Sequence, residues 1–205
     1  MGFKSIVLYF IAFTLNLSSV VDVGSINHNS YRGIESEIIK LTEFRENGVK
    51  AQYNIKSSLD EEINRIKKIY YKDYIIEETE DKNHFYIVGD IKIEINLWCE
   101  DGVVFVEAVS LNDNQNIDTV YMKDNLQKLQ TQNTNSTRYF EYYKGRINSV
   151  NSLEEIEIKD GFTKVHNGYV GNTKLKDKSK ISYGVMEYDT GVYVIIGTPI
   201  IFTTY

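Results

Sequence analysis

Apolar and polar residues alternate along several stretches of the chain, which predicts half-buried strands. The first stretch runs from Val49 to Ile55. Four further predicted strands follow it, at 74–78, 84–88, 91–97 and 103–111. Turn residues separate these segments, for example Gly89-Asp90 and Asp101-Gly102. Short turns between consecutive strands predict an antiparallel meander.

Helical spacing interrupts this pattern three times in the first 130 residues. A predicted helix precedes the first strand and ends near Asn47-Gly48, and its apolar positions are Ile34, Ile38, Leu41 and Phe44. The second helix opens with a capping box at Ser58 and Glu61, which satisfies exposed backbone amides at a helix start. The third runs from about 117 to 130, and its stripe is Thr119, Met122, Leu126 and Leu129.

The second half of the chain repeats this order after a polar connector at 131–137. A strand is predicted from 138 to about 147, and Ser152 to Glu155 reads as a second capping box. The alternation of 156–158 leaves a strand as the competing prediction there. Predicted strands follow at 162–165, 169–173, 180–188 and 192 to the C-terminus, the last one broken at Gly197-Thr198-Pro199.

The shared order of elements suggests a duplication. We therefore predict an α+β fold of two β-α-β-β-β-β units that form a curved antiparallel sheet with helices on one face. The pseudo-repeats cover about 49–130 and 138–205, within a single domain at 26–205.

The N-terminus has the pattern of an export leader. Lys4 is followed by an apolar run from Ser5 to Val21, and small residues near Ser25 allow cleavage there. The run is nearly long enough to span a bilayer, so residues 1–25 are predicted to be a signal peptide or an uncleaved anchor. A buried N-terminal helix is the alternative. The leader predicts an extracytoplasmic protein, secreted or anchored at the cell envelope, that meets the membrane only through this segment.

The composition limits which partners the protein can bind and which covalent bonds can stabilise it. The net charge is -6, and no basic stripe stands out, which argues against a nucleic-acid partner. Cys99 is the only cysteine, so no intramolecular disulfide forms. Because Trp98-Cys99 ends an alternating strand, we expect Cys99 to be a half-buried packing residue rather than a nucleophile.

Searches for catalytic and metal-binding patterns assign no residue. The three histidines, His28, His84 and His166, are not spaced as metal ligands. The oxygen-rich run 112–116 lacks the glycine and distal glutamate of a calcium loop. No nucleophile motif occurs. Paired acids lie mainly at predicted helix starts, where they favour the helix dipole. We predict no cofactor and no metal.

Aromatic density is the one feature that indicates recognition. In the strand from 138, Tyr139 and Tyr143 share one face, while Phe140 and Tyr142 share the other. One face enters the core, and Tyr139 and Tyr143 are the candidate aromatic binding face. The competing interpretation is that a helix covers this face.

The C-terminal residues 193–205 are similar to the C-terminus of YwmB-like proteins, which are leader-bearing proteins of Firmicutes. Residues 183–191 and the leader also fit this resemblance. It implies a duplicated fold like that of the TATA-box-binding protein and a cell-wall or sporulation setting. It brings no catalytic or binding residues, and this fold does not itself imply DNA binding.

We therefore expect a non-enzymatic binding or scaffold module at the cell envelope, whose partner is an envelope protein, a peptide or a glycan. A cell-wall hydrolase with carboxylates assembled by folding is one alternative. A lipid or small-ligand binder is the other.

Overall fold

The computed structural model describes residues 30–147, 162–174 and 180–203. Helices in these residues are α1 (Ser30–Leu41), α2 (Leu59–Tyr70) and α3 (Thr119–Gln127). The first five strands are β1 (Glu43–Ile55), β2 (Ile75–Glu78), β3 (His84–Val88), β4 (Lys92–Glu100) and β5 (Val103–Asn112). The other five are β6 (Thr134–Arg146), β7 (Phe162–Val165), β8 (Gly168–Lys174), β9 (Lys180–Tyr188) and β10 (Gly191–Thr198).

The fold is α+β, as predicted, with few helices and one large open antiparallel sheet of ten strands. The strand order is β2-β3-β4-β5-β1-β6-β10-β9-β8-β7. Consecutive strands from β2 to β5, and from β7 to β10, pair with their neighbours in the chain. The predicted meanders are therefore present in both halves of the sequence.

The chain divides into two compact units, and the boundaries fall within β1 and β6. The central unit is Asn47–Glu141. The terminal unit comprises the described parts of Met1–Glu46 and Tyr142–Tyr205. Each unit has a hydrophobic core of its own.

In the central unit, α2 and α3 cover one face of the sheet. The alternating side chains of β1, β3, β4 and β5 point into this core together with the apolar stripes of the two helices. Core residues with no measurable exposure include Val49, Ile66, Phe85, Ile93, Ile95, Met122 and Leu126. The predicted alternation is thus real, and it leaves the opposite side chains of the same strands on the other face of the sheet.

The capping box predicted at the start of α2 is confirmed. The Glu61 amide donates to the Ser58 hydroxyl over 3.3 Å, and the Ser58 amide donates to the Glu61 carboxylate over 3.1 Å. These bonds hold the pKa of Glu61 below its usual range, chiefly through the Ser58 amide. The box fixes where the chain leaves β1 and enters the helix.

The third helix is shorter than predicted. It begins after the N-cap Asp118, whose carboxylate accepts from the Tyr121 amide over 2.8 Å. After Gln127 the chain continues in tighter turns, in which the amides of 128–130 donate to carbonyls three residues earlier. Leu129, predicted as the end of the stripe, is still fully buried.

In the terminal unit, α1 packs on one face of the strands. Tyr31, Ile34 and Ile38 form a core with the inward residues of β6, β9 and β10. The prediction that Phe44 belongs to this helix is wrong, because α1 ends at Leu41 and Phe44 lies in β1. Thr42 directly follows the last residue of α1. Its hydroxyl donates to the Ile38 carbonyl and lies 2.8 Å from the Tyr143 hydroxyl.

The opposite face of the terminal unit carries a smaller core of Tyr142, Met186 and Ile195. Ile201 and Phe202 pack against it, and the Phe202 ring centroid lies 5.8 Å from that of Tyr142. The prediction that the last strand continues to the C-terminus is wrong beyond Thr198, where β10 ends before a cis Thr198-Pro199 peptide bond. After this bond, Ile201 and Phe202 lie against the core instead.

Three sequence predictions fall on residues outside the described ranges: the leader at 1–25, the capping box from Ser152 to Glu155 and the competing strand at 156–158. Within the described ranges, no helix combines the length and the apolar character needed to cross a membrane.

Candidate functional site

The face of the central sheet opposite α2 and α3 carries side chains that are half-buried or exposed. We call this surface the open face. It is formed by His84, Tyr86, Lys92, Glu94, Asn96, Trp98, Phe105, Glu107, Lys50, Gln52 and Asn54. Aromatic rings, amides and charged groups are interleaved on it, as they are on surfaces that bind polar polymers.

An aromatic pair stands at one end of the open face. The hairpin between β4 and β5 turns at Asp101 and Gly102, whose φ angles of 50° and 74° suit a two-residue turn. This turn places Trp98 opposite Phe105. Their rings stack with centroids 5.6 Å apart and planes 12° apart. Trp98 remains 39% exposed, so the indole still offers a surface to a ligand.

A shallow depression of about 250 Å³ adjoins this pair. Side chains from four strands surround it, and the residues that line it are Gln52, Tyr53, Asn54, Trp98, Phe105, Val106, Ser136 and Arg138. Its polar groups are two amides, the Ser136 hydroxyl and one guanidinium, since the Tyr53 hydroxyl bonds Glu62 on the helix side. The amides and the hydroxyl donate and accept hydrogen bonds, and the guanidinium donates them. The depression therefore joins an apolar plane to a set of orienting polar groups, as ligand sites do.

The acids on the open face have basic or amide partners. The Gln52 amide donates to the Glu107 carboxylate over 2.6 Å, and the Lys50 ammonium lies 3.4 Å from the same carboxylate. The Glu94 carboxylate lies 3.0 Å from the Nε2 atom of His84. Arg138 differs, because no carboxylate of the described residues forms an ion pair with it.

Beneath the sheet, on the helix side, lies a buried polar network. The Tyr53 hydroxyl donates to Glu62 over 2.7 Å, and the Arg65 guanidinium bonds the same carboxylate over 2.6 Å. Arg65 also reaches the Leu129 carbonyl over 2.8 Å. Burial, then the Glu62 charge, raises the pKa of Tyr53. The network ties β1, α2 and the turns that follow α3 together, and it is structural because the helices cover it.

The two tyrosines predicted as the binding face lie elsewhere. Tyr143 is fully buried in the terminal unit against Thr42 and Phe44. Tyr139 is half-buried on the helix side of the central unit, with the Lys123 ammonium 5.4 Å from its ring centroid. Neither side chain belongs to the open face. Four consecutive residues, 140–143, are buried, so alternation along β6 leaves no exposed aromatic face there.

The stacked aromatic pair on the open face, Trp98 and Phe105, is not predicted as a binding surface by the sequence analysis above. The signal was present: Lys92, Glu94 and Asn96 alternate outward, and Trp98 continues this parity. The hairpin signal Asp101-Gly102 then pairs Trp98 with Phe105. Arg138 gave no such signal, because its position depends on how β6 joins the sheet.

A second depression, of about 340 Å³, lies in the terminal unit between Arg45, Glu46, Lys144, Tyr188, Thr190 and Tyr193. Its aromatic surfaces are already covered from within the chain. The Lys144 ammonium lies 5.4 Å from the Tyr188 ring centroid and 5.5 Å from that of Tyr193. Its two cations share the space with Glu46, and Arg45 also pairs with Glu43 at 2.7 Å. The depression beside Trp98 is therefore the stronger candidate.

The prediction that Cys99 is a half-buried packing residue is wrong, because its side chain is exposed. Cys99 is the second-last residue of β4, next to the Asp101-Gly102 turn, where the helices no longer cover the sheet.

Two acids of the central unit, Asp90 and Glu78, are stabilised in their charged forms. The Tyr121 hydroxyl is the main cause of a lowered pKa of Asp90, and Lys67 lowers that of Glu78. Buried Glu141 pairs with Lys123. Among residues 30–147, 162–174 and 180–203, no three histidine, cysteine or acidic side chains cluster as metal ligands.

A scan against protein-family models gives no match, and a search of the curated proteins gives none either. The resemblance to YwmB-like proteins therefore stays a prediction.

Proposed function

We propose that the protein is a non-enzymatic binding module and that the open face of the central unit is its ligand surface. The observation that carries this proposal is the stacked Trp98–Phe105 pair, whose indole is exposed beside a depression lined by amides, a hydroxyl and a guanidinium. A large aromatic plane at the surface supplies contact area at little entropic cost, and the polar groups around it orient a ligand.

The chemistry of the depression favours recognition over catalysis. Side-chain amides do not ionise near neutral pH, and an arginine stays protonated, so none of these groups suits a general base. Glu107, an acid on the same open face, is engaged by Gln52 and Lys50. Both depressions are partly open to solvent and lined by polar as well as apolar side chains, which gives the alternatives of a wall hydrolase and a lipid binder less support than the binding module.

The proposed setting is the cell envelope, with an envelope glycan, peptide or protein as the partner. The support for it is the leader pattern at 1–25. A negative net charge of -6 agrees with a partner other than nucleic acid.

We further propose that the fold is a duplication of the kind found in the TATA-box-binding protein, in a YwmB-like chain. The strand order supports the duplication: the first half reads β2-β3-β4-β5-β1, and the second reads β7-β8-β9-β10-β6. Each half thus places its first strand beside its last. Superposition of an experimental structure's two halves tests the duplication, and unmatched strands contradict it.

Replacement of Trp98 tests the ligand surface. Isothermal titration of the Trp98→Ala protein with envelope glycan fragments and peptides should show at least about a tenfold loss of affinity, because an exposed aromatic anchor carries much of a binding energy. Tyr71→Ala is the matched control, since Tyr71 is 59% exposed and lies at the end of α2, away from the open face.

The control protein should bind like the unmodified protein, and far-ultraviolet circular dichroism should show both variants folded. Equal binding by folded Trp98→Ala, or no binding of either ligand class by the unmodified protein, contradicts the proposed surface.

A further inference from the structure

We infer that the depression beside Trp98 binds an acidic sugar, whose ring stacks on the indole while its carboxylate pairs with Arg138. This inference rests on the proposed function, because it names the ligand class of the same surface. It follows from the charge, the geometry and the size of the depression.

The charge of the residues that line the depression indicates that its ligand is negatively charged. Of the eight residues that line the depression, Arg138 is the only charged one. Nearby Glu107 is already engaged by Lys50 and Gln52, at 3.4 Å and 2.6 Å. An arginine that no carboxylate of the described chain pairs with presents a net positive site to an incoming group. Its planar fork of donors matches a carboxylate in two parallel hydrogen bonds.

The stacked pair favours a ring rather than a bare anion. Trp98 stacks on Phe105 with planes 12° apart and stays 39% exposed, so the uncovered part of the indole provides an apolar floor. A pyranose ring has one face of C–H groups, which packs on such a floor while its hydroxyls remain at the rim. A small inorganic anion makes no use of this plane.

The rim provides partners for hydroxyl groups. Asn54 lies in the same cross-strand row as Phe105 and Trp98, and Gln52 lies one row further along β1. Ser136 adds a hydroxyl from β6. Amides and hydroxyls both donate and accept, as sugar hydroxyls do, so each pairs with the ligand in either direction.

The size of the depression limits how much ligand it holds. Its volume of about 250 Å³ is below the range of about 300–1,000 Å³ typical of pockets that enclose a whole small molecule. We expect it to hold one sugar ring, while the rest of an oligosaccharide lies on the open face, toward Asn96 and Tyr86.

Trp98 is the only tryptophan of the chain, so its fluorescence reports on this site without a label. The test titrates the full chain with cellotetraose, with its counterpart in which the hydroxymethyl groups are oxidised to carboxylates, and with a tetraglutamate peptide. The oxidised sugar should bind about tenfold more tightly than the neutral one, because it adds a charge-assisted pair. Raising the salt concentration from about 0.05 M to about 0.5 M should reduce this difference in affinity, because salt screens the attraction between charges.

Arg138→Gln should erase the advantage of the oxidised sugar, so that both sugars then bind with about equal affinity. Arg45→Gln is the matched control, because Arg45 is an exposed arginine outside the depression, and this variant should keep the advantage. Thermal unfolding of both variants verifies that they fold.

The outcomes separate the two proposals. Equal affinity for both sugars, with binding abolished by Trp98→Ala, overturns the acidic-sugar inference and keeps the ligand surface. Tighter binding of tetraglutamate than of the oxidised sugar also overturns the inference and makes an acidic peptide the ligand. If none of the three probes changes Trp98 fluorescence and none binds by calorimetry, the acidic-sugar inference is overturned, and the envelope-fragment titration decides the surface itself.

Discussion

At the residue scale, one buried carboxylate organises the helix side of the central unit. Glu62 is 1% exposed, and it accepts from both Tyr53 and Arg65. A buried charge is tolerated only when partners satisfy it, and here a hydroxyl and a guanidinium do so. Glu62 also positions Arg65, because the guanidinium that bonds Glu62 donates to the Leu129 carbonyl as well.

Glu62→Ala should lower the free energy of unfolding by roughly 2–3 kcal/mol, because the change leaves the Tyr53 hydroxyl and the Arg65 guanidinium without their shared acceptor. Arg65 keeps some contact with water, which limits the loss. Urea unfolding followed by circular dichroism measures it. Glu80→Ala, an exposed acid in the turn after β2, is the control and should stay within about 0.5 kcal/mol. A neutral effect of Glu62→Ala would show that the network is dispensable.

Ser58→Ala should cost about 1 kcal/mol, because the Glu61 amide then loses its acceptor at the start of α2. Ser57→Ala is a control of the same chemistry one residue earlier, where the hydroxyl contacts only the Glu61 side chain, at 3.2 Å. Chemical denaturation of the two variants compares them. An equal loss in both would mean that the capping bond does not stabilise the helix.

At the element scale, the strands of the central unit followed from the sequence, whereas β6 and the C-terminus did not. Alternation fixed β3, β4 and β5 because one face of each is covered and the other is open. β6 breaks this rule, since 140–143 are buried on both faces and the side chains of Tyr142 and Tyr143 enter different cores. When both faces of a strand are buried by long-range packing, its sequence shows no alternation of apolar and polar residues from which the buried face could be predicted.

Only part of the candidate site could be predicted from the sequence of single elements. The Trp98–Phe105 pair could be predicted from the sequence. The Asp101-Gly102 turn and the outward orientation of alternate residues in β4 are both local signals. Arg138 and Ser136 come from β6, more than 30 residues further along the chain. Their place in the depression depends on the sheet, and periodicity alone gives no access to it. Tyr139 and Tyr143 attracted attention by their density, yet burial decides their role.

At the scale of the whole molecule, buried tyrosines hold both compact units. Burial raises the pKa of Tyr53 and Tyr70 in the central unit and of Tyr142, Tyr143 and Tyr183 in the terminal unit. With no disulfide available to a single cysteine, these rings and the aliphatic cores carry the stability.

The raised pKa values predict unfolding in alkali. A tyrosine ionises near pH 10 in the unfolded chain, so its burial stabilises the fold below about pH 10 and ceases to do so as the pH rises further. Absorbance at 295 nm and circular dichroism should therefore show a fraction of tyrosines that ionise only together with loss of structure. Complete ionisation near pH 10 of a protein that stays folded would contradict the burial of these side chains.

The most direct test of the binding surface observes the indole itself. A single tryptophan gives one indole N–H signal in a ¹⁵N correlation spectrum of the labelled protein. During titration with solubilised envelope glycan fragments, this signal should shift and saturate together with the amides of Asn54 and Arg138. Binding that is detected by calorimetry but leaves the Trp98 indole signal unmoved would contradict the account and place the ligand elsewhere.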